Sequence, residues 1–415
     1  MTMLFLGFSA GVPILLIFST LGLWLNEAGV AKSTITYFSW AALGYSFKFV
    51  WAPLVDRLPL PVLTKTLGRR RAWMLVSQLA IMGAILLMAS VDPKAGIDGL
   101  TFMAYGAVLL GFSSATQDIV IDAYRIESAD KDMQSMLSAT YIAGYRIGML
   151  VAGAGGLFIA SYLGSTKALY SYDAWSGTYM IMAAVMLIGV ATTLIISEPD
   201  TKRQEAEYST TDYARFFLLF LSIVVAFILT FNATAGLVKD AKEALIEVFA
   251  NKHLAGFIVG TARMMIALLG AYIAARALIA FNIVNRSMVN NTYVDPVKDF
   301  FNRYGMSVAV LLLAVIGLYR VSDIVLGVMA NIFYQDMGFT KVEIATISKT
   351  FGLFMTLAGG FLGGILAIRV GVFKVLFLGA LLSALTNLLF IVLANVGHDI
   401  TWLYVTIAMD NLSAG

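Results

Sequence analysis

Apolar segments about 20 residues long recur along this whole chain. A helix of that length crosses the hydrocarbon core of a bilayer and satisfies its own backbone hydrogen bonds while doing so. Of the 415 residues, 60% are hydrophobic and only 13% are charged, which excludes an ordinary soluble domain. The sequence therefore predicts an all-α polytopic membrane protein.

Hydropathy predicts twelve helical segments, with ends placed to within a few residues. They cover about 3–25, 34–56, 72–91, 100–125, 136–162, 173–196, 214–236, 254–284, 305–333, 342–367, 372–394 and 399 to the end. The stretch 237–253 is too polar to span a membrane, and we expect it to form an amphipathic helix at the outer surface.

The distribution of basic residues predicts the orientation. The loop after the second segment is rich in Lys and Arg, whereas the neighbouring loops on the opposite side carry only Lys32 and Lys94. Cytoplasmic loops of membrane proteins are enriched in Lys and Arg, so we expect 57–71 and the N-terminus to face the cytoplasm. The basic residues of that loop are Arg57, Lys65, Arg69, Arg70 and Arg71.

Two stretches of the chain are alike. EAGVAKSTI at 27–35 and DMGFTKVEI at 336–344 each lie between two apolar segments, at an offset near 309. Two six-helix repeats related by an axis along the membrane normal build the major facilitator fold. We therefore predict an N-terminal bundle at 1–196, a cytoplasmic linker with two inserted central helices at 197–304, and a C-terminal bundle at 305–415. By this alignment the segment near 399 is the fourth of the second half, so we expect the last helices to be missing from this chain.

Charged residues inside the fourth segment indicate a polar pathway. Asp118, Asp122 and Arg125 share one helix face. A charge in the hydrocarbon core costs roughly 3 kcal/mol on insertion scales, so this face should look into the bundle or a wet cavity. Asp118, about 10 Å below the cytoplasmic end at 1.5 Å per residue, is our first candidate for proton coupling. Asp122 and Arg125 lie nearer that end, where a structural ion pair with the loop after the second segment is an equal alternative. Gln117 is assigned to the substrate site.

A second charged cluster lies between the second and third segments. An acid at a helix end beside a basic cluster can latch one conformational state, whereas a plain topogenic loop is the alternative. We call these residues the cytoplasmic latch: Asp56, Arg57, Gly68, Arg69, Arg70 and Arg71. The second repeat has Ile368 where the acid would be, so we expect only the first latch to be ionic.

Two further positions in the first half suggest anion binding. Lys48 shares a predicted helix face with Trp40 and Trp51, where an ammonium could hold an anion beside a sugar-stacking surface, and snorkelling is the alternative. Tyr145 and Arg146 lie on the fifth segment, and a buried guanidinium needs an anionic partner.

The second half carries its own mid-segment charges. Arg320 and Asp323 lie one turn apart and either neutralise one another or serve as the substrate and proton groups of this half. Asp410 faces the same two alternatives, and Asn331 on the same helix as Asp323 is a candidate substrate ligand.

Several function classes are disfavoured. The chain has no cysteine and two histidines, so thiol chemistry and a His-based metal site are excluded, and we expect neither an enzyme nor a cofactor. The net charge of +3 does not indicate nucleic-acid binding. A non-transporting receptor or assembly factor is the remaining alternative, although such a protein would have no need of mid-span acids. We expect a monomer.

Strings spread over nearly the whole chain resemble the AmpG-type muropeptide permeases, a branch of the Major Facilitator Superfamily. They are GFSAGVP, NEAGV, FKFVWAPLVDR, GRRRAW, TQDIVIDAYRIE, LYRVSDIVLGVMAN and DNLSAG. The resemblance implies proton-driven import of N-acetylglucosaminyl-1,6-anhydro-N-acetylmuramic acid and its peptides across a bacterial inner membrane, for cell-wall recycling. Related acetyl-CoA transporters share the branch, so another organic anion is the alternative substrate.

Depth in the membrane and helix face suggest roles for the candidate residues toward such a substrate. The carboxylates of such a substrate would pair with Lys48, Arg146 and Arg320, and its sugar rings would stack on Trp40, Trp51, Tyr145 or Tyr319. The driving proton would bind among the acids Asp118, Asp122, Asp323 and Asp410. The proton gradient would be the only energy source.

Overall fold

The structure is a computed structural model that describes residues 1–38, 41, 43–60, 62–130, 133–199, 208–249, 252–319 and 321–414. Within these ranges all regular structure is helical, which confirms the predicted all-α class. The α-helices are Thr2–Ile17, Ser19–Glu27, Lys32–Phe38, Leu43–Phe47, Ala52–Arg57, Leu63–Leu67, Arg69–Ala89, Ile97–Glu127, Gln134–Leu150, Gly156–Tyr162, Tyr172–Val185, Leu187–Ile195, Thr210–Ala233, Ala235–Phe249, Lys252–Ala280, Arg286–Val289, Asp295–Tyr304, Met306–Tyr319, Val321–Asp336, Lys341–Glu343, Gly352–Val370, Val372–Val396 and Ile400–Ala414. Short 3₁₀ turns form at Lys48–Val50 and Pro93–Ala95, and π-helical turns at Val151–Gly155, Asn290–Val294 and Ile344–Phe351.

Eight helices in the described part of the chain are long and apolar enough to cross a membrane. Each coincides with one of the twelve predicted segments. They are Thr2–Glu27, Arg69–Ala89, Ile97–Glu127, Met136–Tyr162, Tyr172–Ile195, Thr211–Ala233, Leu254–Ala280 and Phe377–Val396.

The continuous helix predicted over 34–56 is wrong. Three α-helical pieces and the 3₁₀ turn Lys48–Val50 occupy this stretch instead. Trp51 ends the 3₁₀ turn and caps the helix Ala52–Arg57, in which Pro53 occupies the first turn. Proline has no backbone N–H to donate to the preceding turn, so it starts a helix more readily than it continues one. Because of this break, Lys48 and Trp51 do not belong to one α-helix, and the helix face predicted to carry both is not formed.

The remaining three predicted segments are helical in their described residues. The segment from 399 to the end contains Ile400–Ala414. The segment 305–333 is helical on both sides of Arg320, which lies outside the described residues, as Met306–Tyr319 and Val321–Asp336. The segment 342–367 begins with the π-helix Ile344–Phe351 and continues as Gly352–Val370. In the π-helix the Thr350 hydroxyl donates to the carbonyl of Ala345 over 2.9 Å.

The chain forms two compact units. The first comprises Met1–Phe49, Pro59–Asp200 and Leu312–Gly415, and thus contains helices of both sequence repeats. The second comprises Val50–Leu58 and Thr201–Leu311. The division at 196 and 304 into two bundles and a linker stays a prediction.

Within the second unit, the two central helices pack against each other. The Arg263 guanidinium lies 3.7 Å from the centroid of the Phe231 ring and donates to the Phe231 carbonyl over 2.7 Å. This carbonyl belongs to the last turn of Thr210–Ala233, where backbone acceptors lack helical donors. The helix Ala235–Phe249 follows and occupies most of the stretch predicted to be amphipathic.

Within the first unit, the helices Thr2–Ile17 and Gln134–Leu150 cross in backbone contact. A Cβ atom added at Gly11 would lie 2.0 Å from the Tyr145 carbonyl oxygen, and one at Gly144 would lie 1.9 Å from the Leu4 carbonyl oxygen. Gly7 and Gly148 make equally close approaches to the opposite helix. Small residues permit such contact between membrane helices. This crossing sets the position of Tyr145 and Arg146.

Candidate functional site

The two similar stretches of the sequence meet in the structure. The Asn26 amide, at the end of the helix Ser19–Glu27, donates to Gln335 Oε1 near the end of Val321–Asp336. These two residues are 309 positions apart, which is the offset of the sequence repeat. Equivalent residues of the two copies are therefore direct neighbours.

Two salt bridges extend this contact in a reciprocal pattern. Glu27 of the first copy pairs with Lys341 of the second at 3.0 Å, and Asp336 of the second copy pairs with Lys32 of the first. Glu27 and Asp336 are equivalent in the repeat, as are Lys32 and Lys341. Reciprocal contacts of this kind are what a two-fold axis produces at an isologous interface.

Glu27 is the most enclosed charge of this contact, with a side chain that is 0% exposed. Its carboxylate accepts hydrogen bonds from the Lys341 ammonium at 3.0 Å, the Ser165 hydroxyl at 2.8 Å and the Trp175 indole at 2.8 Å. The amide of Gln335 adds a fourth at 3.1 Å. A buried ion pair is stable only with good geometry and further hydrogen bonds, and this carboxylate has both.

Asp336 is the more exposed acid of the pair. Lys167 donates to its second oxygen at 3.0 Å, in addition to the bridge from Lys32. Partial burial on its own would raise the pKa of Asp336, but the hydrogen bonds from Lys32 and Lys167 outweigh it and lower this pKa below the usual value.

We call this set the inter-repeat network. Asn331, predicted to bind substrate, lies beside it: its amide donates to the Ser19 carbonyl at 3.0 Å, and the residue is 1% exposed. Sequence reasoning found the offset that relates the two copies but did not assign a role to their polar residues. The members are Asn26, Glu27, Lys32, Ser165, Lys167, Trp175, Gln335, Asp336 and Lys341.

A second polar region surrounds Asp118 within the helix Ile97–Glu127. Asp118 is 8% exposed, and its Oδ1 atom has no hydrogen-bond partner in the described part of the structure. The Lys48 charge and the Tyr141 hydroxyl act on it, and Tyr145 lies within electrostatic reach. Lys48 and Tyr145, two of the other predicted residues, thus lie within electrostatic reach of Asp118.

Three tyrosines, Tyr45, Tyr141 and Tyr145, lie within electrostatic reach of Asp118. The Tyr45 hydroxyl donates to Ser114 Oγ at 2.7 Å. Tyr45 also lies within electrostatic reach of Tyr145. The rings of Tyr141 and Tyr145 lie 6.1 Å apart in a tilted arrangement. Aromatic faces with hydroxyl groups offer both stacking and hydrogen bonding to a sugar. Arg146 is half-buried beside Tyr145, and no carboxylate of the described residues lies within 4.0 Å of it.

Three predicted residues on the same helix have local partners. Gln117 is fully buried and donates to Ser9 Oγ at 3.2 Å, a contact between two packed helices. Arg125 pairs with Asp122 at 3.5 Å and donates to Gln134 at 3.3 Å. Asp122 and Arg125 thus pair with each other, and the roles predicted for them stay predictions.

Glu127, the last residue of the helix Ile97–Glu127, pairs with Arg70 of the predicted latch. The guanidinium makes two bonds to the carboxylate, one of them Nε to Oε2 at 2.9 Å. Glu127 was not among the predicted latch residues. Two parallel bonds of this kind give the pair both strength and a defined orientation.

Arg70 and Arg71 of the latch also form hydrogen bonds with residues at and just after the end of the predicted segment 173–196. Glu198 accepts from the backbone N–H groups of Arg70 at 2.8 Å and Arg71 at 3.0 Å, so it caps the helix Arg69–Ala89. A Cβ atom on Gly68, whose φ is +91°, would lie 2.4 Å from the Glu198 side chain. The Arg71 side chain donates to the Thr193 carbonyl at 2.9 Å.

Other predicted residues are placed as follows. Arg69 begins its helix and is half-buried. Asp56 belongs to the second unit, as does Trp51, which is 5% exposed and lies 6.5 Å from the Phe220 ring. Asp410 is half-buried and lies within electrostatic reach of Tyr334. Trp40 and Arg320 lie outside the described residues, as do the side chains of Arg57, Tyr319 and Asp323.

Lys349 is a cation that sequence reasoning missed. It lies in the π-helix Ile344–Phe351, within a segment predicted to cross the membrane. One signal was available in the sequence, because a lysine in an apolar segment is rare and costly.

Comparison with known proteins agrees with this architecture. The sequence model of the Major Facilitator Superfamily matches residues 1–318. The transporter AmpG 4 of Rickettsia conorii is 30% identical over 409 residues, which cover 99% of this chain and 77% of that protein. AmpG 3 of Rickettsia prowazekii is 27% identical over 414 residues, with 99% and 77% covered.

The anhydromuropeptide permease of Escherichia coli K12 is 27% identical over 415 residues. The match covers 100% of this chain and 64% of the permease. These matches confirm the resemblance that the sequence strings indicated. The chain therefore belongs to the Major Facilitator Superfamily and, within it, to the AmpG branch of transporters.

Proposed function

We propose that this protein imports N-acetylglucosaminyl-1,6-anhydro-N-acetylmuramyl peptides across a bacterial inner membrane in symport with protons. The inter-repeat network is the observation that carries the mechanism, because it joins the two repeats through reversible polar contacts at one end. The substrate class is supported by the name of the Escherichia coli relative, an anhydromuropeptide permease. The N-terminus lies in the cytoplasm in this proposal, as the basic loop 57–71 indicates.

Alternating access requires that the two repeats separate at one face while they close at the other. The inter-repeat network lies at the helix ends opposite to the loop 57–71, so it is the outer gate. Its contacts are hydrogen bonds and ion pairs, for which water can substitute when the repeats separate. An apolar seal of the same area would instead expose its whole surface to water.

The Asp118 region supplies a physical basis for proton coupling. An ionised Asp118 competes with a substrate carboxylate for the nearby Lys48 ammonium. Protonation of Asp118 removes that competition, so a proton and an anionic substrate bind more strongly together than either does alone. Asp122, Asp323 and Asp410 are the other candidate acids for binding the driving proton in this mechanism. The pair of Arg70 with Glu127 holds the cytoplasmic ends of two helices as one body while the repeats move.

Uptake into vesicles that contain the purified protein tests the proposal. Labelled anhydromuropeptide should accumulate only with an inward proton gradient, and Asp118→Asn should remove the dependence on the gradient. Asp98→Asn is the matched control, because Asp98 is an exposed acid at the start of the same helix.

Absence of uptake under a confirmed gradient would refute the muropeptide assignment. Gradient-dependent uptake of labelled acetyl-CoA by the same vesicles would then favour another organic anion. Uptake that Asp118→Asn leaves gradient-dependent would refute the coupling role but not the transport.

A further inference from the structure

Lys349 lies where the two repeats meet inside the first unit. Its π-helix, Ile344–Phe351, packs against the π-helix Val151–Gly155 of the first half. π-helical turns are rare and occur frequently at functional sites. Here one such turn from each half faces the other.

The aliphatic part of Lys349 rests on a glycine of the opposite turn. A Cβ atom at Gly153 would lie 3.7 Å from Cδ of Lys349 and 2.6 Å from the Leu15 side chain. The neighbours Ala152, Ala154 and Ile347 are buried and apolar. Lys349 thus carries its charge into an otherwise hydrophobic layer.

The ammonium of Lys349 has no carboxylate within 4.0 Å among the described residues. Lys341, eight positions earlier in the same segment, contrasts with it because Glu27 neutralises that lysine. Lys349 is half-buried among these apolar residues. A cation kept unpaired in such a place is costly, and intramembrane charges of this kind mark solute pathways.

We propose that Lys349 binds a carboxylate of the transported substrate and is the anion-binding residue of the second repeat. This inference rests on the proposed function for the identity of that substrate. Lys48 and Arg146, the candidate cations of the first repeat, belong to the other half. A peptide-bearing muramyl ligand has several carboxylates, so one molecule can engage cations of both halves and link its binding to their closure.

The absence of native cysteine permits a test in which charge is removed and restored on one folded protein. Lys349→Cys should bind anhydromuropeptide at least about tenfold more weakly than wild type, as the loss of a charged hydrogen bond predicts. Treatment with an aminoethyl methanethiosulfonate rebuilds a lysine-like cation and should restore the affinity. A methyl methanethiosulfonate adds bulk without charge and should not.

Isothermal titration with the purified full chain gives the affinities, with an anhydromuropeptide whose carboxylates are amidated as the second ligand. Wild type should prefer the anionic ligand, and this preference should be smaller in untreated Lys349→Cys, which keeps only the cations of the first repeat. Lys374→Cys, at an exposed position of the same half, should bind as wild type does before and after treatment.

The outcomes separate the two proposals. If wild type binds the anionic ligand and Lys349→Cys binds it equally well, Lys349 has no such role and the proposed function stands. Restoration by the uncharged reagent would also overturn the role, because bulk would then be the cause. If wild type binds neither ligand, the proposed substrate is wrong and the role of Lys349 fails with it.

Discussion

Glu27 shows how one buried carboxylate joins two repeats. It is fully enclosed and accepts four hydrogen bonds, one of them from Lys341, whose side chain is 3% exposed. Removing one partner of a buried ion pair costs about 3–5 kcal/mol, because the other charge stays buried and uncompensated. The exposed bridge of Lys32 with Asp336 is different, since surface pairs contribute about 0–1 kcal/mol.

We therefore expect Glu27→Gln to lower the thermal unfolding temperature in detergent far more than Asp336→Asn does. Differential scanning fluorimetry of the two variants beside wild type measures this difference. Glu27→Gln combined with Lys341→Met should recover part of the loss, because the double variant leaves no uncompensated charge. Equal effects of Glu27→Gln and Asp336→Asn would contradict the burial argument.

Asp336 predicts a pH dependence at the same scale. Its hydrogen bonds from Lys32 and Lys167 hold its pKa below the usual value despite partial burial. A carboxyl with a lowered pKa in the folded state stabilises the protein above its unfolded pKa, about 3.9, and loses that contribution as the pH falls through the lowered value.

The stability difference between wild type and Asp336→Asn should therefore be constant from pH 8 to about pH 5, begin to fall near pH 4 and vanish only below the lowered pKa of Asp336. Thermal unfolding of both proteins across this range measures it. A difference that changes between pH 8 and pH 6 would show that another group is responsible.

At the scale of elements, the crossing of Thr2–Ile17 with Gln134–Leu150 depends on four glycines. Gly144→Ala would place a methyl group 1.9 Å from the Leu4 carbonyl oxygen, which belongs to the backbone and cannot rotate away. Overpacking of a tight core costs about 1–3 kcal/mol and sometimes more. We expect a clear loss of thermal stability, together with reduced uptake because Tyr145 and Arg146 move with the helix.

Gly83→Ala is the matched control for this crossing. Gly83 lies in the helix Arg69–Ala89, and a Cβ atom there would meet nothing within 4 Å. Alanine is favoured over glycine inside a helix by about 1 kcal/mol. Gly83→Ala should therefore unfold at the same or a slightly higher temperature. A similar loss in both variants would mean that helix propensity and not close packing governs Gly144.

The contacts of Glu198 with Arg70 and Arg71 explain where the helix Arg69–Ala89 begins. Glu198 supplies the acceptors that the first turn of Arg69–Ala89 lacks, and the glycine before that turn makes room for the carboxylate. The second repeat has Gly371 before its own helix, with φ of +93° close to the +91° of Gly68. The two repeats thus share this backbone turn even though their charges differ.

At the scale of the whole molecule, transport requires that the inter-repeat network opens. Asn26→Cys with Gln335→Cys places two thiols where the side chains of the two repeats are hydrogen-bonded. We expect a short cleavable bifunctional thiol reagent to join them and abolish uptake of the labelled anhydromuropeptide, and a reductant to restore it. Uptake in vesicles before and after each treatment measures this.

A control pair keeps both thiols within the first repeat. Asp92 accepts a hydrogen bond from Tyr170 at 2.7 Å, so Asp92→Cys with Tyr170→Cys offers the same chemistry without a link between repeats. Cross-linking of this pair should leave uptake unchanged. Uptake that survives the link between Asn26→Cys and Gln335→Cys would show that this end need not open.

The sequence by itself determined the membrane class, eight of the spanning helices and the 309-residue offset between Asn26 and Gln335. These properties are local, because a spanning helix needs only its own apolar residues and a repeat needs only similar strings. The sequence also brought Lys48, Asp118 and Tyr145 forward as candidates, since charged and aromatic residues stand out in apolar segments.

Only the tertiary structure decided which residues meet. The partner of Arg70 proved to be Glu127, 57 positions away, and that of Glu27 proved to be Lys341, 314 positions away. Such pairs depend on how the packed helices rotate and cross. Glycines in distant segments set this geometry, so a local sequence pattern does not predict it. For the same reason the break at Lys48–Val50 and the place of Lys349 opposite Gly153 emerged only from the packed helices.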